Sequence, residues 1–174
     1  MAITLLDEII RTDYGQFDLV WEPDGGFDGV PDRFFAGQVN GWVGAADPSG
    51  VYLCLARRSG GSRIRIVLED VEPAFPSPEY DDVVEVSTVV PEGAEPGWLS
   101  WAGESGGDLA LPSGSYRIRV SANGRDAGAA DEFSDEILDN YLVQMWPAAA
   151  QPDAILRSES ENGRYWHREW GNRR

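Results

Sequence analysis

The chain has 174 residues, with 30 acidic side chains against 14 basic ones and a formal net charge of −16. A field of that sign repels nucleic acid and anionic membrane surfaces and draws in basic proteins, so it argues for association with a cationic partner. Every basic residue is Arg, and with plentiful Ala, Gly and Asp this matches the codon usage of a high-GC bacterial genome.

An apolar share of 42% with seven Trp, six Tyr and six Phe is enough for a hydrophobic core. The length suits one domain over 1–174. No secretory signal pattern opens the chain, and no apolar run approaches the roughly 20 residues of a membrane span. The lone Cys54 can form no internal disulfide and reads as a buried thiol. A cytoplasmic protein is expected.

In chain order, a short amphipathic helix is expected at 3–11. Strands follow near 14–21, 38–44, 50–58, 62–70, 82–89, 97–102, 115–122 and 140–147, where apolar residues alternate between turn-forming Gly, Pro, Asp and Ser. In the clearest, Ile64, Ile66 and Leu68 share one face, and Arg63 and Arg65 take the other. Arg117 and Arg119 repeat the pattern, and all four Arg are expected on solvated faces. Residues 58–62 read as a hairpin loop and the proline-rich 71–80 as a surface connection. A helix is expected near 159–170, within a C-terminal helical extension at 157–174, docking Tyr165, Trp166 and Trp170. The pattern as a whole predicts an all-β fold, an antiparallel β-sandwich of about eight strands with short N- and C-terminal helices.

The densest charge feature carries Asp126, Asp131, Glu132, Asp135, Glu136 and Asp139, six carboxylates in fourteen residues with no basic residue among them. Carboxylates spaced along a loop on a rigid scaffold can imitate the phosphates of DNA and occupy the basic cleft of a nuclease or another toxin. Glu79, Asp81 and Asp82 form a second run that could extend the same surface. The competing reading is a solvated loop that guards a strand edge. A rival from another class is a carbohydrate- or ligand-binding module using Trp98 and Trp101 as an aromatic platform.

No metal is expected, because Asp24, Asp28 and Asp32 miss the ligand spacing of a calcium loop and read as a turn. There is no nucleophile motif, phosphate-binding loop or Cys/His cluster, so neither an enzyme nor a cofactor is expected. His167, the only histidine, reads as a packing residue.

Leu111-Pro-Ser-Gly-Ser-Tyr116, then an alternating strand, an acidic connection and Tyr141-Leu-Val-Gln-Met-Trp-Pro147, together resemble the ComJ family, small inhibitors of a bacterial DNA-entry nuclease. The resemblance covers about residues 110–147. It implies a cytoplasmic inhibitor or immunity role and carries over no functional residue.

Overall fold

A computed structural model describes residues 1–174. Eleven strands run in chain order as β1 (Ile3–Asp13), β2 (Gln16–Val20), β3 (Val43–Gly44), β4 (Gly50–Cys54), β5 (Ser59–Leu68), β6 (Asp82–Val90), β7 (Gly97–Ser100), β8 (Gly106–Asp108), β9 (Gly114–Asn123), β10 (Asn140–Pro147) and β11 (Ala154–Ser158). The helices are α1 (Pro31–Phe35), α2 (Arg125–Ala130) and α3 (Glu161–Glu169), with a 3₁₀ turn at Trp101–Gly103. No helix is long and apolar enough to cross a membrane.

The strands form two sheets. One has six strands in the order β1-β5-β10-β9-β6-β11, and the other five in the order β3-β4-β2-β7-β8. The fold is therefore mostly β, as the alternation predicts, but with eleven strands rather than eight and not wholly antiparallel. β10 pairs with β5 in parallel, Tyr141 opposite Ile64 and Val143 opposite Ile66. Every second residue of β5, β6, β9 and β10 points inward, and these side chains meet those of the smaller sheet in one core of 29 buried residues.

At the N-terminus the expected helix is instead strand β1, an edge strand paired along β5. Ile3, Thr4, Ile9, Ile10 and Thr12 are β-branched and favour extended backbone. A register irregularity between Thr4 and Leu6 breaks the period of two, so the apolar positions mimic helical spacing. Nor is 58–62 a hairpin loop, because β4 and β5 lie in different sheets and Ser59–Ser62 already pairs with β1.

Arg117 and Arg119 are not solvated. Both are buried around Glu85, with Arg117 Nε 3.0 Å from one carboxylate oxygen and Arg119 Nε 2.9 Å from the other. The proline-rich segment crosses this face as a strap, and Arg119 Nη1 donates to the carbonyls of Pro73 and Ala74. Arg63 and Arg65 do stay exposed, and Arg63 pairs with Asp7. The Leu-Pro-x-Gly-x-Tyr run has a structural role, since Tyr116 donates its hydroxyl proton to the Pro112 carbonyl at 2.8 Å and staples the turn into β9.

The C-terminal extension is strand before it is helix, because Ala154–Ser158 pairs with β6 at the sheet edge. In α3, Ser160 caps the first turn by accepting from Gly163 N–H at 2.9 Å. Trp166 and Trp170 pack against the core, and Tyr165 remains largely exposed.

Candidate functional site

The register gathers the acidic segments at one end of the six-stranded sheet. β6 begins there at Asp82, β9 ends at Asn123, β10 begins at Asn140 and β5 begins at Ser59. The segments 79–82 and 126–139 therefore emerge together.

Their side chains do not all face solvent. Asp139 is buried, accepting from Ser62 Oγ at 2.7 Å and from the Tyr141 hydroxyl at 2.8 Å. That hydroxyl also meets Arg125, whose fully buried guanidinium donates to the Cys54 carbonyl and to Asn162 Oδ1 and lies 4.4 Å from the Trp42 ring. Asp139 and Arg125 form no direct ion pair and are joined through the Tyr141 hydroxyl, which donates to the carboxylate and accepts from the guanidinium. Asp82 is buried against Ser160 N–H, and its carboxyl is raised above the usual range mainly by burial. Asp126 accepts from the N–H groups of Glu161 and Asn162 at 3.1 and 2.8 Å, a cap on the positive end of α3 supplied from α2. Asp81 is half-buried and accepts from Gly124 N–H. Asp82 and Asp139 therefore leave the expected partner surface, because both side chains are fully buried inside the fold.

Asp131, Asp135, Glu136 and Glu79 are exposed, and Glu132 is half-buried. The loop that carries Asp131, Glu132, Asp135 and Glu136 is pinned from below by Arg57, which donates to the carbonyls of Glu132, Ser134 and Glu136 as well as to Ser59 and Gly61. The pin uses backbone oxygens and leaves the carboxylates free. Between them Phe133 is 89% exposed.

A second feature lies on the outer face of the five-stranded sheet. Antiparallel register sets Gln16 opposite Cys54, and Asp18 opposite Tyr52 and Leu99, so these side chains share the face opposite to that of Phe17, Leu19 and Leu53. They floor a cleft of about 1140 Å³. The loop after β2 forms one wall, where Phe27 stacks on Tyr52 with centroids 3.9 Å apart. Trp166 of α3 and Trp170 at its C-terminal cap form another, with ring centroids 4.4 Å apart. Tyr14 and Trp101 stand at the opposite rim, 5.1 Å apart, with the Arg58 guanidinium over the Tyr14 ring.

Asp18 is the charged group of the floor. Its carboxylate accepts from Gln16 Nε2 at 2.7 Å and from Phe27 N–H at 3.0 Å, and burial raises its pKa to about 6. Gly26, with φ +124°, brings the loop close beside it, where a side chain would be strained. Asp24 and Asp28 lie in a turn-like segment, with Asp28 accepting from Val30 N–H and pairing with Arg33, whereas Asp32 falls in α1, and residues 24–29 also wall this cleft.

Trp98 and Trp101 do not form a joint platform. Trp98 points into the core and stacks on Phe17 at 5.7 Å, and only Trp101 reaches the cleft. Asp18 passed unnoticed in the sequence, although an Asp within Phe17-Asp-Leu-Val20 was an available signal. Cys54 is buried and its thiol is raised above the usual range by burial. His167 is buried too, accepting from Gly41 N–H through Nδ1 at 3.0 Å.

No family model and no curated protein matches the chain. Among solved structures it is similar to crocagin biosynthetic gene J, at 17% identity and a TM-score of 0.50, over 86% of this chain and 99% of that one. At that identity the likeness speaks to the fold alone.

Proposed function

We propose that this chain is a non-enzymatic binding protein that neutralises a basic partner, a nuclease or another toxin, by seating its acidic end in the partner's cationic cleft. The two sheets serve as a β-sandwich scaffold, and the ComJ-like pattern at 110–147 fits such an inhibitor. The observation that carries this reading is the loop 131–136, where an exposed Phe133 stands among outward carboxylates on a backbone held by Arg57. An aromatic knob ringed by one sign of charge suits an interface in which charge steers the encounter and the ring anchors the docked state.

The test is binding to a basic nuclease or toxin, sought first among the products of genes adjoining this one, followed by surface plasmon resonance. Changing Asp131→Asn, Glu132→Gln, Asp135→Asn and Glu136→Gln together should slow association by about tenfold at low salt. Phe133→Ala should act on dissociation instead. Unaltered kinetics in both variants removes this end of the molecule from the mechanism.

A further inference from the structure

We propose that the cleft over the five-stranded sheet is a binding site for a small organic cation, an ammonium or guanidinium group carried on a planar or apolar body. The site is separate in its residues from the acidic loop, and it stands or falls independently of it.

A cavity of about 1140 Å³ is ample for a small molecule, since ligand pockets run from about 300 to 1,000 Å³. At its floor Asp18 is 1% exposed and takes part in none of the chain's ion pairs. Its two hydrogen-bond donors, Gln16 Nε2 and Phe27 N–H, are neutral. A buried carboxylate without a counter-charge is costly, and a ligand that supplies the positive charge removes that cost. The walls complete the recognition. Phe27, Trp101, Trp166 and Trp170 offer ring faces and edges, which attract a cation electrostatically and cover its apolar body.

A neutral sugar fits less well. Gln16, Tyr52, Ser100 and Asn162 line the cleft and could bond its hydroxyls, but it brings no positive charge to offset that of Asp18. The other titratable groups facing the cleft are Tyr52 and Cys54 on β4, both raised above their usual ranges by burial and so neutral, Asp24 and Asp28 on the loop, and Tyr14 and Arg58 at the mouth. The loop acids add to the negative field, and Arg58 marks the end away from which the ligand's cation should point.

Isothermal titration at pH 7.5 with four probes decides the matter: phenethylammonium, its neutral isostere 2-phenylethanol, the anion 3-phenylpropionate, and methyl glucoside. Phenethylammonium should saturate one site at least about tenfold more tightly than the alcohol or the anion. Asp18→Asn should weaken the ammonium by about tenfold and leave the alcohol unaffected, with near-ultraviolet circular dichroism reporting an intact fold. Trp101→Ala should weaken both. Moving to pH 5 should cost the wild type about tenfold, because a carboxyl titrating near 6 is then mostly protonated, and should cost Asp18→Asn nothing. Equal affinity for ammonium and alcohol, an unchanged affinity in folded Asp18→Asn, saturation by methyl glucoside alone, or saturation by none of the four overturns the proposal.

Discussion

Two buried titratable residues, Asp18 and His167, have been moved in opposite directions by the same cause. Burial raises the Asp18 carboxyl to about 6 against the hydrogen bonds from Gln16 and Phe27, and burial, reinforced by Arg125, lowers the His167 imidazole to about 4. A group raised in the fold binds its proton more readily there than in the unfolded chain. The contribution of Asp18 is therefore fully present below its ordinary value of 3.8 and is lost as the pH rises through about 6. His167 behaves oppositely, contributing above its ordinary 6.5 and losing that contribution as the pH falls through about 4. Each span amounts to about 3 kcal/mol at most, at roughly 1.4 kcal/mol per pH unit. Between pH 4 and 6 the two slopes offset each other in the wild type. Asp18→Asn, which can still accept from Phe27 N–H, should be more stable than wild type at pH 7.5, and the gap should close toward pH 4. His167→Asn keeps an acceptor for Gly41 N–H and should gain on the wild type over the same fall in pH. Urea unfolding at pH 4, 5, 6 and 7.5 measures both differences. An Asp18→Asn chain less stable than wild type at pH 7.5 would show that the carboxylate is stabilised where it lies.

At the scale of the element, the strap at 71–80 and the strands beneath it decide what the Arg residues do. Glu85 holds Arg117 and Arg119 at once, and all three are buried. Truncating it by Glu85→Ala leaves two buried guanidinium groups without their shared carboxylate, at a cost of about 3–5 kcal/mol. Arg63→Ala, which removes one exposed pair with Asp7, should cost no more than about 1 kcal/mol, and thermal unfolding of the two variants compares them. The sequence pattern is the same in both places, an Arg on alternate positions opposite Ile and Val. What differs is how far each outer face is covered, and that is set by contacts many residues away, so local alternation cannot distinguish them. The same limit explains the other departures. β11 is a five-residue edge strand with a register shift between Ile155 and Arg157, and β8, Gly-Gly-Asp, has almost no side-chain pattern to read. The long central strands β5, β6, β9 and β10 were legible because one buried face forces a period of two on many consecutive residues. α3 was legible through its aromatic spacing. The acidic end was legible as a run of carboxylates, but the inward turn of Asp82 and Asp139 follows from Ser160, Ser62 and Tyr141, which lie elsewhere in the chain or on the next strand. The cleft is assembled from β2, β4, β7, α3, the 3₁₀ turn and the segments that follow β1, β2 and β4, and no contiguous stretch of sequence holds it.

Over the whole molecule, a formal charge of −16 means that the folded state works against its own repulsion. Most of the exposed acids have no Arg beside them, whereas the pairs around Glu85 are buried and little affected by salt. Raising NaCl from low to moderate concentration shortens the screening length to about 10 Å at 0.1 M and should therefore raise the melting temperature. The size of that rise also reports how the charge is distributed. Asp131, Glu132, Asp135 and Glu136 crowd one pinned loop, and Glu22, Glu92 and Glu95 line a shallow hollow at the opposite end of the molecule. Neutralising the loop quartet should flatten the salt dependence more, per charge removed, than Glu22→Gln, Glu92→Gln and Glu95→Gln together, because closely spaced like charges repel one another most. Differential scanning calorimetry across a salt series measures both slopes. An equal effect per charge would mean that the acids act as an evenly spread solubilising coat, and the acidic end would then lose the concentrated field on which its steering of a basic partner depends.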